Sequence, residues 1–135
     1  LISTDSLLII DDCYNANPVS MKASLDVLAT ADTRKVAIMG DMFELGINEN
    51  ELHAECGRHA VERGIDVIIC VGKLSKNTSH SAQEIAPSTT EVHYFETKAD
   101  FFKIAKNLLY KGDTILVKAS HGMEFPEIIN YLQTL

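Results

Sequence analysis

At 135 residues, with 46% apolar and 23% charged side chains, the chain has the composition of one globular domain that buries about two-thirds of its unfolded surface. A formal net charge of −7 argues against a nucleic-acid footprint or an anionic membrane surface as partner. No run of about 18 apolar residues exists to span a bilayer, and no basic-then-apolar export signal opens the chain, so no membrane insertion and a cytoplasmic location are expected.

Leu1-Ile2-Ser3 is expected to pair back on Leu7 to Ile10 as a short antiparallel edge strand. The Leu7-Leu8-Ile9-Ile10 run suits a strand buried on both faces, and it ends in two acids, Asp11 and Asp12. Asn17 can cap a helix whose first position is Pro18, where no amide donor is needed. Met21, Leu25 and Leu28 form the apolar stripe of that helix, which runs to about Ala29. Lys35 to Met39 is the next strand, closing at Gly40-Asp41, and a loop from Met42 to Asn48 leads to a helix from about Glu49 to Arg63. Glu49 and Glu51 lie in its first turn and Gly64 suits its C-terminal cap.

Asp66 to Val71 is a further strand, followed by a weaker helix over Ser75 to Ile85 and a strand from Glu91 to Phe95. Thr97-Lys98-Ala99-Asp100 has the form of a capping box, with Asp in place of Glu. Behind it Phe101, Ile104, Ala105, Leu108 and Leu109 make an apolar helix face, which Gly112 is expected to end. Thr114 to Val117 is the last strand, and Lys118-Ala119-Ser120-His121-Gly122 turns into a final helix carrying Phe125, Ile128, Ile129 and Leu132. Strands alternate with helices over short links, which calls for an α/β, doubly wound, mostly parallel sheet. No linker divides the chain, so residues 1–135 are read as a single domain. Because Leu1 rather than Met comes first, the domain is expected to belong to a longer chain.

In such a sheet ligands bind outside the carboxyl ends of the strands. Those ends would gather Asp11, Asp12 and Tyr14; Gly40, Asp41 and Glu44; Gly72 and Lys73; and Lys118, Ser120 and His121. Singly, each residue reads as a solvated loop or cap residue; together they make a polar rim. No GxxxxGK[ST] or GxGxxG loop accompanies it, so the chain lacks a phosphate cradle of its own and is incomplete as a lone catalyst. Cys13, Cys56 and Cys70 read as reduced thiols acting as small hydrophobes. His53, Cys56 and His59 recur at intervals of three, a spacing that drifts around a helix, and no metal site is assigned.

DDCYNANPVSM, from Asp11 to Met21, resembles the DDSYNANPxSM signature that opens the C-terminal domain of the Mur ligases, in the branch that adds D-alanyl-D-alanine. GDMFELG at Gly40 to Gly46 is similar to that branch's GDMxELG. His53, Val71-Gly72 and VKASHGM at Val117 to Met123 follow in family order, so the resemblance covers essentially the whole chain. It departs in the last motif, where the family reads VKGSRGM: Ala119 stands for Gly and His121 for Arg, whose always-charged bidentate fork a histidine does not reproduce. Cys13 for Ser is a milder change.

The resemblance implies a Rossmann-like fold and an ATP-dependent amide-forming activity in peptidoglycan synthesis. Such ligases have three domains, for the UDP-sugar, for the ATP phosphates with Mg²⁺, and this C-terminal one. The terminal carboxylate of UDP-MurNAc-tripeptide becomes an acyl phosphate, which the amine of D-Ala-D-Ala attacks. By the same resemblance Asp12 would face the ATP ribose, with Tyr14 and Asn15 near the nucleotide and the reacting phosphate. Asn17, Asp41, Met42, Glu44 and Ser120 would border the dipeptide, with His121 at the position of the family's Arg. Asp41 or Glu44 could hold the dipeptide's ammonium, and one acid could assist its deprotonation. No residue is assigned a catalytic role.

Three other readings compete. Another Mur ligase or a folate-polyglutamylating relative fits the motif text less well. A freestanding small-ligand binding module would share the polar rim. A phosphoryl-accepting receiver domain would use Asp11-Asp12, Asp41 and Lys118. In that fold, however, a strand and a helix intervene between acid pair and acceptor, and a Pro usually stands where this chain has Ala119.

Overall fold

Side chains alternate across each strand, and in this protein the two sets feed two separate cores. The computed structural model describes all 135 residues. Strands β1 (Ile2–Ser3), β2 (Leu8–Asp12), β3 (Lys35–Gly40), β4 (Val67–Val71), β5 (Glu91–Phe95) and β6 (Thr114–Lys118) form one sheet in the order β1-β2-β6-β3-β4-β5. Only the β1–β2 pair is antiparallel. Helices α1 (Pro18–Ala29), α2 (Glu49–Glu62) and α3 (Ser75–Ile85) follow β2, β3 and β4; α4 (Lys98–Leu108) and α5 (Pro126–Leu132) follow β5 and β6.

Ala37, Met39, Ile68, Cys70 and Leu116 pack on one face with Met21, Leu25 and Leu28 of α1, Cys56 and Ala60 of α2, and Ala82 of α3. Val36, Ile38, Val67, Ile69, Ile115 and Val117 pack on the other with Phe101, Ala105 and Leu108 of α4, and Ile128, Ile129 and Leu132 of α5. This division follows from right-handed crossovers: the chain steps one way from β2 through β5, then returns to β6 and lays its last helices on the opposite face.

The return of β6 decides where the site lies. It enters between β2 and β3, so three rim segments distant in sequence become neighbours. In the parallel ladder Asp12 is the register partner of Lys118, and Met39 is its partner on the other side. A topological switch of this kind is where open α/β sheets bind ligands.

Most expected elements are found within a residue or two, with three differences. Leu8 is exposed and Ile10 only half-buried, because β2 lies one strand from the edge and α1 leaves part of its face uncovered. α4 ends at Leu108, before Gly112, since Leu109 turns extended and the Tyr110 amide donates to Asp113 Oδ2 at 2.8 Å. Gly112, at φ +95, lies in the turn that follows. The final helix starts only at Pro126, after a 3₁₀ turn over His121–Met123, and Phe125 stands just outside it, fully buried.

Candidate functional site

The rim divides into an open half, on β2 and β6, and a locked half, on β3 and β4. In the open half Lys118 extends the Leu116 face of β6 under α1, where its side chain is only 3% exposed. Its Nζ lies 2.9 Å from Asp12 Oδ2 and donates to the Asn15 carbonyl at 3.1 Å. Ser24 Oγ, on α1, donates to the same Asp12 oxygen at 2.5 Å. Partial burial works against the Asp12 charge, but the Ser24 hydrogen bond and the Lys118 ammonium outweigh it and hold the carboxyl below its ordinary value. Both bonds fall on Oδ2, so the other oxygen of this 40%-exposed carboxylate keeps its acceptor capacity.

Asn17 forms a reciprocal cap on α1: its side chain accepts from the Ser20 amide at 2.9 Å, and Ser20 Oγ accepts from the Asn17 amide at 3.1 Å. Asn15 is exposed and its Oδ1 accepts from the Ala16 amide at 2.9 Å. Tyr14 is 84% exposed and faces His121 across 6.0 Å between ring centroids, tilted by 54°. Tyr14, Asn15 and His121 line a shallow cleft, which continues past Asn15 and His121 to Phe43, Glu44, Ser120 and Gly122. Behind them Cys13 donates its thiol to the Val117 carbonyl at 3.5 Å, and burial, with Asp11 beside it, pushes that thiol up to about 12.

The locked half presents the same residue types turned inward. Asp41 is 5% exposed, and its Oδ1 accepts from the amide and the hydroxyl of Ser75, both at 2.7 Å. The carboxylate thereby meets the N-terminus of α3, which lacks a side-chain cap of its own. Gly72 makes room for it. At φ +122 it adopts a backbone that suits glycine, and a Cβ there would lie 2.4 Å from Asp41 Oδ1. Met42 is also buried, and its amide donates to His53 Nε2 at 2.9 Å. Because that nitrogen accepts, His53 carries its proton on Nδ1 and donates to the Glu49 carbonyl at 2.7 Å.

Ser120 joins the halves. Its amide donates to the Asp41 carbonyl at 3.0 Å, and its Oγ accepts from the Phe43 amide at 2.8 Å. The loop so held presents Glu44, exposed and at φ +63, toward the cleft. A left-handed backbone at a non-glycine residue costs roughly 1–3 kcal/mol and persists only where surrounding bonds impose it.

Of the residues singled out from sequence, Tyr14, Asn15, Glu44, Ser120 and His121 come together around the cleft, and Asp12 is joined to it through Lys118, which bonds the Asn15 carbonyl. Asn17 stands one turn away as a cap, and Asp41 and Met42 point inward. His53, Cys56 and His59 do not converge: His53 is bonded as above, and His59 Nε2 lies 2.7 Å from Asp26. Ser24 and Ser75 are not singled out by the sequence, and Lys118, placed on the rim, and His53, noted in family order, carry no assigned partner there. Only the register of β2 on β6 could have pointed to the Lys118–Asp12 pair.

A sequence profile described as Mur ligase, glutamate ligase domain matches residues 1–121. The chain belongs to this family. Among curated relatives, the UDP-N-acetylmuramoyl-tripeptide–D-alanyl-D-alanine ligase of Bacillus subtilis is 40% identical over 135 residues, covering 98% of this chain and 29% of that protein. The Escherichia coli ligase of the same name is 34% identical over 131 residues, covering 96% and 27%. Among solved structures, MurF from Acinetobacter baumannii superposes with a TM-score of 0.88 at 30% identity, covering 99% of this chain and 30% of that one. MurF from Thermotoga maritima in complex with ADP gives 0.76 at 26% identity, covering 98% and 29%. This Mur ligase domain therefore spans under a third of the length of these relatives. No helix in it is long and apolar enough to cross a membrane.

Proposed function

We propose that residues 1–135 are the C-terminal domain of a cytoplasmic, three-domain ligase that joins D-Ala-D-Ala to UDP-MurNAc-tripeptide in an ATP-dependent step of peptidoglycan synthesis. The observation that carries this reading is Asp12: a carboxylate fixed through one oxygen and open at the other, at the strand switch point of a Mur ligase fold. Its free Oδ1 suits a ribose hydroxyl. The chain has no glycine-rich phosphate loop, so ATP phosphates and Mg²⁺ fall to the central domain, and the ATP supplies the activating phosphoryl group.

In this reading Tyr14 and Asn15 lie beside the nucleotide and the reacting phosphate, and the tilted Tyr14–His121 pair covers that end of the cleft. Glu44 is the better acceptor for the dipeptide's ammonium, since Asp41 is buried and already bonded to Ser75. Glu44 could also take up the ammonium proton before attack. Ser120 and His121 border the dipeptide, with Asn17 at the cleft's margin through its cap on α1. Asp41 and Met42 serve by holding the loop that presents Glu44. Closure of the domain over a nucleotide held elsewhere would orient the amine and exclude water from a hydrolysable acyl phosphate.

The receiver reading loses its acceptor, because the buried Asp41 carboxylate is turned away from solvent toward α3. The test is direct. The full-length protein should couple D-Ala-D-Ala to UDP-MurNAc-tripeptide with one phosphate released per bond, while this chain alone should hydrolyse no ATP. Hydrolysis by the isolated chain, or a full-length protein that ignores the dipeptide, would overturn the proposal.

A further inference from the structure

We propose that Lys118 is a positioning residue whose ammonium ties the Asp12 carboxylate to the Asn15 carbonyl and so fixes, in one orientation, the groups that meet the nucleotide. This rests on the nucleotide-side reading of Asp12 and adds a residue to which no function has been given so far.

Burial separates the two members of the pair. The Asp12 side chain is 40% exposed and stands at the front; that of Lys118 is 3% exposed and stands behind it. The carboxylate is open to a ligand from solvent, while the ammonium acts through what it holds. What it holds lies on two segments: Asp12 ends β2 and is its register partner, and Asn15 lies beyond the strand in the turn toward α1. That turn is also held by burial of Cys13 and Ala16 in the two cores, while its other polar ties are long or local: the Cys13 thiol on the Val117 carbonyl at 3.5 Å, the Cys13 amide on Asp11 Oδ1 at 3.4 Å, and the Asn17–Ser20 cap, which belongs to α1 itself. Lys118, at 3.1 Å from the Asn15 carbonyl, is thus the shorter polar link between the turn carrying Tyr14 and Asn15 and the centre of the sheet.

Stability alone explains the pair poorly. A buried ammonium loses much of its hydration, and a buried ion pair is often no more stable than an apolar isostere of similar shape. Asp12, being partly exposed, could be solvated without a partner. With Lys118 and Ser24 on the same oxygen the carboxylate is held at two angles, which water would not impose. The depressed Asp12 carboxyl agrees with a charge held close to it.

The test uses the full-length enzyme and three variants: Lys118→Met, Asp12→Asn and the double substitution. If Lys118 works through Asp12, Lys118→Met should raise KM for ATP roughly 10- to 100-fold, the usual effect of losing a group that orients a ligating side chain. KM for D-Ala-D-Ala should move little, and the double variant should be no worse than Asp12→Asn alone. In this chain, the Asp12 carboxyl followed by ¹³C NMR should titrate at higher pH once Lys118 is Met. An unchanged KM for ATP in Lys118→Met, with Asp12→Asn impaired, overturns the proposal and leaves the pair structural. Full additivity in the double variant also overturns it, since Lys118 would then act independently. Asp12→Asn with normal KM for ATP refutes instead the nucleotide reading on which the proposal stands.

Discussion

Asp12 and Asp41 each follow the last apolar residues of a parallel strand, one on either side of β6, yet they have opposite surroundings. Asp12 is tied down through one oxygen on a side chain that is still 40% exposed; Asp41 is enclosed by Gly72 and bonded to the start of α3. The cause is which element follows. After β2 the chain needs a turn into α1 that Asn17 and Pro18 cap without outside help. After β4 the chain enters α3 through Leu74, which offers no cap, so the neighbouring strand's carboxylate fills that role. One rim thus combines a stiff support with an open edge, and the two should break in different ways.

The largest effect is expected at Gly72. Gly72→Ala places a methyl against the Asp41 carboxylate in a left-handed backbone and should cost about 3–5 kcal/mol in denaturant unfolding. Asp41→Ala leaves the Ser75 amide at the head of α3 without its partner and should cost about 2–4 kcal/mol, read from the same curves. His53→Leu, which orphans the buried Met42 amide, should cost about 2–3 kcal/mol and loosen the Glu44 loop, seen as faster amide exchange at Met42 and Phe43. If any of these three proved neutral, the locked half would not be the support described.

On the open side the stability effects are small. Because the folded Asp12 carboxyl lies below its ordinary value, its contribution to stability is present above the unfolded value of about 3.9 and is lost as pH falls through the folded value. Lys118→Met should therefore move the acid-unfolding limb to higher pH. Tyr14→Ala, at an exposed ring, should leave stability within about 0.5 kcal/mol while slowing full-length ligation. A Tyr14→Ala variant as active as wild type would detach that ring from the site.

Much of this was legible in the sequence, for identifiable reasons. The continuous apolar run Val36-Ala37-Ile38-Met39, the Asn17-Pro18 start signal and the Met21, Leu25, Leu28 stripe are local patterns, and each placed its element. The expected parallel sheet brought the ends of β2, β3, β4 and β6 to one rim, as the strand order has them. The difference between Asp12 and Asp41 was not legible, because it depends on strand order: β6 lies beside β2 only after the chain has returned across the sheet. Likewise nothing local marks Ser75 as the partner of Asp41, 34 residues away in sequence, or Lys118 as that of the Asn15 carbonyl, 103 residues away. The end of α4 was misplaced because burial of Leu109 and the Asp113 bond to Tyr110 overrode the glycine signal.

The most direct test sets Asp12→Asn, which keeps an oxygen for Lys118 and Ser24, beside Asp41→Ala in the full-length protein, measuring thermal unfolding and D-Ala-D-Ala ligation on the same samples. Asp12→Asn should keep the wild-type Tm within a few degrees while ligation falls by roughly a hundredfold or more. Asp41→Ala should lose Tm first, with activity following the folded fraction. The reverse pattern, an Asp12→Asn protein that unfolds early yet ligates normally when folded, would contradict the division of the rim into an open, functional half and a locked, structural one.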